Sequence, residues 1–237
     1  MLNLFLVAVY GAALQNLVYL PKYIDMIYAK GVTHPYVVPK FSAGIASGDP
    51  TLTSVILWSR ISNFNGNVDI LISTNDKFTR PIKHTTTTDY SHDYVVKIDA
   101  TNLSPDTKYF YKFSIDYNNT KLESPVGITK TLPKNTKHLK VAVASCADYP
   151  NGFFTSYRVM VILQADIVVF LGDYIYEYAN KVYGDGTAMN RIPNPDQAII
   201  TLEDYRKRHL QYKQDKDLQY MHQNIPMIAV WDGIFTY

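Results

Sequence analysis

The amino-acid sequence predicts a protein of two unlike parts, an N-terminal β-sandwich followed by an α/β part. Between residues 41 and 132, short runs of β-branched and aromatic residues alternate with turn residues, as in all-β domains. After residue 138, apolar strand-like runs alternate with segments of helical spacing, which is typical of α/β domains. The composition, 47% hydrophobic and 19% charged, supports a buried core.

Charge and cysteine content exclude two classes of protein. The 23 basic and 21 acidic residues nearly cancel to a net charge of +2, and no basic run stands out. This balance gives no signature of nucleic-acid binding. The one cysteine, Cys146, cannot form an intrachain disulfide, so the protein is not a disulfide-stapled scaffold.

Residues 1–40 predict a hydrophobic leader and a linker. Residues 2–20 carry no charge, which is typical of a signal peptide or a membrane anchor, although a buried helix would show the same pattern. We therefore expect a secreted or membrane-anchored protein on the extracellular side, with residues 2–20 as its contact with the membrane. In that compartment the sequons at Asn118 and Asn102 are candidates for glycosylation.

Residues 41–132 predict a sandwich of about seven strands. The clearest strands lie at residues 54–61, 68–72, 94–98 and 109–115, and Asn65-Gly66-Asn67 is expected to form a hairpin turn. The segment at residues 103–111 resembles the corner of fibronectin type III-like sandwiches, in which a leucine and a tyrosine pack together. Domains of this kind more often bind a partner or position another domain than catalyse a reaction.

The α/β part is organised around residues 141–178. Strand-like runs at residues 141–144 and 167–171 flank a helical pattern at residues 152–164, which predicts a βαβ unit with parallel strands. A loop is expected at residues 182–196, over the carboxyl ends of these strands, where open α/β sheets bind ligands.

Two further helices and a last strand complete the α/β part. Helices are expected to begin at Thr201, with a capping box, and after Asp215. Two surface pairs four residues apart should support the first helix: Glu203 with Lys207 and Asp204 with Arg208. Without later partners, the strand at residues 227–231 is expected to present an unpaired edge.

Potential metal ligands follow the strands of this unit. Cys146 comes directly after the first strand, and Asp173 and Tyr176 come after the second. Because the carboxyl ends of parallel strands meet at one edge of a sheet, we expect these three side chains to converge. Asp232, after the last strand, is a weaker candidate for a ligand or for a residue that supports one.

The three residue types suit a highly charged cation. A cation lowers the pKa values of thiols and phenols, so that thiolate, phenolate and carboxylate can bind it together. Each residue alone also has an ordinary explanation: a buried thiol, a turn residue and a packing tyrosine. Their coincidence at strand ends is what favours a metal site.

Several motifs resemble those of the PhoD-like alkaline phosphatases. They are FSAGIASGDP, VAVASCADYPNGFF, ADIVVFLGDYIYEY, TLEDYRKRHLQYKQDKDLQ and the strand end at Trp231-Asp232. The resemblance implies a sandwich followed by a metallophosphoesterase-type catalytic domain that hydrolyses phosphomonoesters and phosphodiesters with Fe³⁺ and Ca²⁺. It also implies that Cys146 supplies an iron-binding thiolate, Asp173 a metal-bridging carboxylate and Tyr176 a tyrosinate.

The resemblance stops abruptly after Asp232. The family continues Trp-Asp-Asp-His-Glu, whereas this chain continues Gly233-Ile234-Phe235. We therefore expect only the first part of the metallophosphoesterase-type α/β domain, with an incomplete ligand set, and a phosphatase fragment that is inactive by itself. An unspliced intron after the Asp232 codon, a true truncation or an unrelated short tail would each produce this ending. Two alternatives are a non-catalytic remnant that acts as an extracellular binding module and, without the resemblance, a general α/β metal-binding protein.

Overall fold

The computed structural model describes residues 38–136 and 138–230. The predicted leader at residues 2–20 and the candidate ligand Asp232 lie outside these residues. Within the described ranges, no helix combines the length and apolar character needed to cross a membrane.

The described residues form eleven strands and three α-helices. The strands are β1 (Ile45–Gly48), β2 (Val55–Arg60), β3 (Gly66–Ser73), β4 (Ile82–Thr88), β5 (Val95–Ala100), β6 (Lys108–Tyr117), β7 (Thr120–Glu123), β8 (Gly127–Lys130), β9 (Val141–Ala144), β10 (Ile167–Phe170) and β11 (Met227–Ala229). The helices are α1 (Thr155–Ile162), α2 (Leu202–Lys213) and α3 (Lys216–Asn224). Single turns of 3₁₀-helix occur at Tyr90–His92 and Tyr149–Asn151.

Strands β1 to β8 form the expected sandwich. One layer contains β5, β2 and β1, and the other contains β4, β3, β6 and β7, with β8 paired to β6. The alternation in β2 places Val55 and Leu57 in the core with no exposed surface, while Ile56 between them is partly exposed. Further fully buried core residues come from both layers: Ile61, Val68, Ile70, Ile72, Tyr111 and Phe113.

The predicted corner before β6 has the expected contacts. Leu103 and Tyr109 are both buried, and the main-chain N–H of Ser104 donates to Tyr109 Oη at 2.8 Å. This contact secures the chain where it enters the longest strand of the sandwich.

The hairpin expected at Asn65-Gly66-Asn67 is wrong. β2 pairs with β1 and β5, whereas β3 pairs with β4 and β6, so the chain crosses between layers here instead of turning back. Gly66 and Asn67 already belong to β3.

The strand β4 has no counterpart among the predicted strands, because its sequence IKHTTTT carries almost no apolar alternation and its residues are mostly exposed.

The predicted βαβ unit is confirmed. β9 and β10 are parallel neighbours, with Val141 opposite Ile167 and Ala144 opposite Phe170. α1 is shorter than the helical pattern at residues 152–164, because the chain first forms a 3₁₀ turn and then passes through Gly152, whose φ is 150°.

The expectation that the last strand forms an unpaired edge is wrong. β11 lies between β1 and β10, parallel to both, in a six-stranded sheet of order β5-β2-β1-β11-β10-β9. The edge strand on the α/β side of this sheet is β9 instead, with Val141 and Val143 about half exposed. One sheet therefore runs from the sandwich into the α/β part, which a reading of adjacent segments could not show.

The predicted N-terminal caps of α2 and α3 are confirmed, and so is one of the two predicted surface pairs. Thr201 and Asp204 form the expected capping box, and Asp215 accepts bonds from the first turn of α3. Glu203 and Lys207 approach to 3.6 Å. The pair expected between Asp204 and Arg208 is replaced, because Arg208 is fully buried and donates to main-chain carbonyls.

Candidate metal centre

The loops that follow β9 and β10 are joined by main-chain hydrogen bonds. Cys146 N–H donates to the Gly172 carbonyl at 3.2 Å, and Ala147 N–H donates to the Asp173 carbonyl at 2.9 Å. These bonds continue the parallel pairing of the strands past their ends. Cys146 and Asp173 therefore lie on two loops that are joined directly by hydrogen bonds.

Both loops contain residues in the left-handed region of the backbone map. Cys146 has a φ of 58° and Asp173 a φ of 55°, next to Gly172 at 115°. A residue with a Cβ in this conformation costs roughly 1–2 kcal/mol. Strained backbone of this kind is concentrated at functional sites, where the surrounding contacts hold it in place.

One oxygen of Asp173 is the meeting point of the predicted ligands. Tyr176 Oη donates to Asp173 Oδ2 at 3.0 Å, and Cys146 Sγ lies 3.6 Å from the same oxygen. Cys146 is exposed, so the cluster is open to solvent. The structure thus brings together a thiol, a carboxylate and a phenol, and their role as metal ligands stays a prediction.

The cluster holds its phenol in the neutral form. Burial raises the pKa of Tyr176 above its ordinary value, and the neighbouring Cys146 and Asp173 raise it further through hydrogen bonds and charge. Three acidic groups so close together repel one another when they ionise. A cation reverses this effect, because it stabilises all three anions at once.

Tyrosine is an essential member of this donor set. Within residues 38–136 and 138–230, no group of three or more His, Cys, Asp and Glu side chains is placed to hold a metal ion. Cys146 and Asp173 alone provide two donors, and Tyr176 provides the third. The donor set fits a cation that favours thiolate and phenolate ligands.

Arg208 supports Tyr176 and was missed by sequence reasoning. Its guanidinium donates to the carbonyls of Tyr176 and Tyr178 on the segment after β10. It also donates to carbonyls in the loop before α2: Asn194, Pro195 and Gln197. No local pattern marks an arginine that turns inward, because its partners are carbonyl groups that every residue has.

Two more tyrosines flank Tyr176. The rings of Tyr176, Tyr178 and Tyr183 are stacked, with centroids 4.8–6.3 Å apart. Tyr183 belongs to the segment at residues 182–196, where the structure shows no helix or strand, so the loop lies beside the cluster as expected.

A buried ion pair anchors the same loop. Arg191 Nη1 lies 2.9 Å from Asp215 Oδ2, and both side chains are almost completely buried. The guanidinium also stacks over Tyr149, 3.8 Å from its centroid, and donates to the Tyr149 carbonyl. The loop, the start of α3 and the segment after β9 are thereby held together behind the cluster.

The glycosylation candidates lie on the sandwich, outside this cluster. Asn118 lies in the turn between β6 and β7, and Asn102 lies in the loop after β5; both are exposed. Their exposure is compatible with glycosylation, which stays a prediction.

Both parts of the chain match models of known protein families. A family model described as PhoD-like phosphatase matches residues 141–233, and one described as PhoD-like phosphatase, N-terminal domain, matches residues 29–133. Alkaline phosphatase D of Bacillus subtilis (strain 168) is 37% identical over 206 residues, which are 81% of this chain and 34% of that protein.

A solved structure of PhoD, at 35% identity, superposes with a TM-score of 0.73 over 81% of this chain and 38% of that chain. The match includes the β-rich architecture with mixed sheets and few helices. The chain spans little more than a third of the length of the relatives it matches.

Proposed function

This chain belongs to the PhoD-like phosphatase family, and from that premise we propose that it is part of a metal-dependent hydrolase of phosphomonoesters and phosphodiesters. The observation that carries the proposal is the convergence of Cys146 and Tyr176 on one carboxylate oxygen of Asp173. The carboxyl ends of β9 and β10, which position this cluster, are the edge at which open α/β sheets bind ligands.

We propose Cys146, Asp173 and Tyr176 as ligands of Fe³⁺. Thiolate and phenolate suit this ion, and Asp173 has a second oxygen that could serve Ca²⁺, which takes oxygen ligands. When bound, the metals supply polarisation of the phosphoryl oxygen and activation of the attacking oxygen.

The chain's own contribution is to position the donors and to release their protons. The thiol of Cys146 and the phenol of Tyr176 both hydrogen-bond to Asp173 Oδ2. Binding of a metal by all three groups therefore requires the thiol and the phenol each to lose a proton. The paired loops fix the spacing of the donors before any metal arrives. Arg208, which donates to the carbonyls of Tyr176 and Tyr178, limits the movement of the segment that carries the phenol.

We further propose that the 237-residue chain alone has no significant phosphatase activity. The described residues bring three donors together, and catalysis of this type requires two metals and an attacking group held with small positional error. The alternative is a non-catalytic role in which the sandwich acts as an extracellular binding module. Residues 2–20 would serve either role as signal peptide or anchor.

Metal binding and activity can be tested separately. The purified chain is titrated with Fe³⁺, with and without Ca²⁺, and the visible charge-transfer absorption of thiolate and phenolate ligands is recorded. We expect this absorption in the wild type, a clear loss in Cys146→Ala and Tyr176→Phe, and no loss in Tyr178→Phe. Equal spectra for Tyr176→Phe and Tyr178→Phe would contradict the ligand assignment.

Hydrolysis of p-nitrophenyl phosphate and bis-p-nitrophenyl phosphate is measured on the same metal-loaded samples. We expect no turnover above the Cys146→Ala background. Turnover that depends on Cys146 would refute the proposed inactivity while supporting the hydrolase assignment. Binding of a glycan or protein partner by a chain that takes up no iron would favour the binding module.

A further inference from the structure

An open cavity of about 1050 Å³ lies between α2 and the face of β1, β2 and β5 that points away from the sandwich core. None of the three candidate metal ligands lines it. Its walls include Trp58 on β2, Lys213 at the end of α2 and His222 on α3. A concave, mostly apolar space of this size with a few polar groups is typical of small-molecule sites.

Lys213 is the central polar group of the cavity. Its Nζ lies 5.0 Å from the centroid of the Trp58 ring and 4.9 Å from that of Tyr174. It also lies 3.0 Å from His222 Nε2. Burial lowers the pKa of Lys213 to about 7, and no carboxylate among the described residues offsets this effect. The amine is therefore held between aromatic rings without an anion.

His222 holds the amine in place, since its Nε2 lies 3.0 Å from Lys213 Nζ and 2.9 Å from Tyr174 Oη. An ammonium group only donates, so Nε2 of His222 must accept from Lys213 when the lysine is charged, and the imidazole proton lies on Nδ1. The side chain is buried, and Nδ1 has no partner among the described residues. Burial, assisted by the charge of Lys213, keeps the pKa of His222 well below its ordinary value, so the ring stays neutral.

The charges around the cavity favour an anion. Four cationic side chains line it: Arg60, Lys97, Arg206 and Lys213. The two carboxylates that line it are Asp89 and Asp93, and Asp93 is already paired with Arg60 at 2.8 Å. The lining therefore has more cationic than anionic side chains, an arrangement that raises the local concentration of anions.

We propose that this cavity binds a small aromatic anion, with its acid group against Lys213 and its ring against Trp58. The apolar walls and the two rings beside the amine select an aryl group over a bare inorganic ion. The proposal does not depend on the phosphatase assignment, since the cavity and the metal cluster use different residues.

The test uses 4-toluenesulfonate, whose charge is constant across the pH range studied. The chain carries Trp58 and Trp231, so a Trp231→Phe background reports on Trp58 fluorescence, and calorimetry gives the affinity. At pH 6 we expect saturable binding, and Lys213→Met should weaken it about tenfold, the effect of losing one charged contact. Lys216→Met removes a neighbouring exposed lysine as the matched control and should leave the affinity within about twofold.

Two comparisons separate charge from apolar binding. Methyl 4-tolyl sulfone has the shape of the probe without its charge and should bind about tenfold more weakly. Between pH 6 and pH 9 the wild type should lose about tenfold in affinity as Lys213 loses its proton, whereas Lys213→Arg should not. The other titratable or charged groups that face this site are Arg60, Asp89, His92, Asp93, Lys97, Tyr174, Tyr205, Arg206, His209 and His222. A His92→Gln variant controls for the most exposed imidazole.

Three results would overturn the proposal. They are absence of saturable binding up to millimolar probe, equal affinity of sulfonate and sulfone, and equal affinity of Lys213→Met and the wild type. Circular dichroism of every variant identifies any loss of fold, and Lys213→Arg then tests the same contact in a chain that keeps the charge.

Discussion

The two parts of this chain are stabilised by different kinds of core. In the sandwich, side chains such as Leu57 and Ile70 are completely buried, and the cluster around them is apolar or aromatic. In the α/β part, the largest completely buried side chain is that of Arg208, and the ion pair between Arg191 and Asp215 is buried as well.

Although it buries charged side chains, the α/β part also exposes large apolar ones. The α/β part exposes more than half of each apolar side chain at Val143, Ile162 and Leu163, on β9 and at the end of α1. The core of the sandwich is therefore mainly apolar, whereas the α/β part adds buried charged side chains to an apolar cluster of its own. The two parts should therefore respond differently to substitution.

Loss of the Arg208 guanidinium should be the most damaging change. Arg208→Met leaves the carbonyls around Tyr176 and the loop before α2 without their donor, and we expect a loss of about 3–5 kcal/mol in the free energy of unfolding. Urea unfolding followed by circular dichroism measures it. Arg206→Met on the same helix is the control and should cost about 0.5 kcal/mol or less. Similar midpoints for the two variants would show that the buried network is not what stabilises this part.

A cavity in the sandwich core should cost about 2–5 kcal/mol. Leu57→Ala creates one on β2, whereas Leu52→Ala, at a side chain 40% exposed, should change stability by about 0.5 kcal/mol or less. Because β1 and β11 join the two parts in one sheet, we expect Leu57→Ala and Arg208→Met to shift a single transition. Two separate transitions, each moved by one variant, would mean that the parts unfold independently.

Acid should destabilise the α/β part through His209. Burial, assisted by the charge of Lys213, lowers the pKa of His209 to about 4, from about 6.5 in the unfolded chain. Between these values the unfolded state binds more protons, so stability is lost as the pH falls from about 6.5 to 4. We expect His209→Gln to reduce the loss on acidification by about 1–2 kcal/mol, after allowance for partial exposure. Thermal melting from pH 7 to pH 4 measures it, and exposed His138→Gln should keep the wild-type slope.

The corner before β6 should contribute the smallest effect. Tyr109→Phe removes the acceptor of the Ser104 N–H and should cost about 1 kcal/mol. Tyr90→Phe, at a partly exposed ring, is the matched control. If both changes prove neutral, packing of the ring and not its hydroxyl fixes this corner.

The elements that could be predicted are those set by neighbouring residues in the chain. The alternation of β2, the parallel pair β9 and β10, and the caps at Thr201 and Asp215 all depend on spacings of a few residues. The meeting of Cys146, Asp173 and Tyr176 could be expected for the same reason, since ends of adjacent parallel strands share one edge of a sheet.

Only the tertiary structure decided where distant segments meet. It placed β11 between β1 and β10 instead of at an edge, and it turned Arg208 inward to carbonyls up to 32 residues away. It also brought Lys213 and His222 beside Trp58. Local sequence specifies which face of a strand or helix is apolar, but every main-chain carbonyl and every apolar face is chemically alike. Which of them pair depends on the packing of the whole chain.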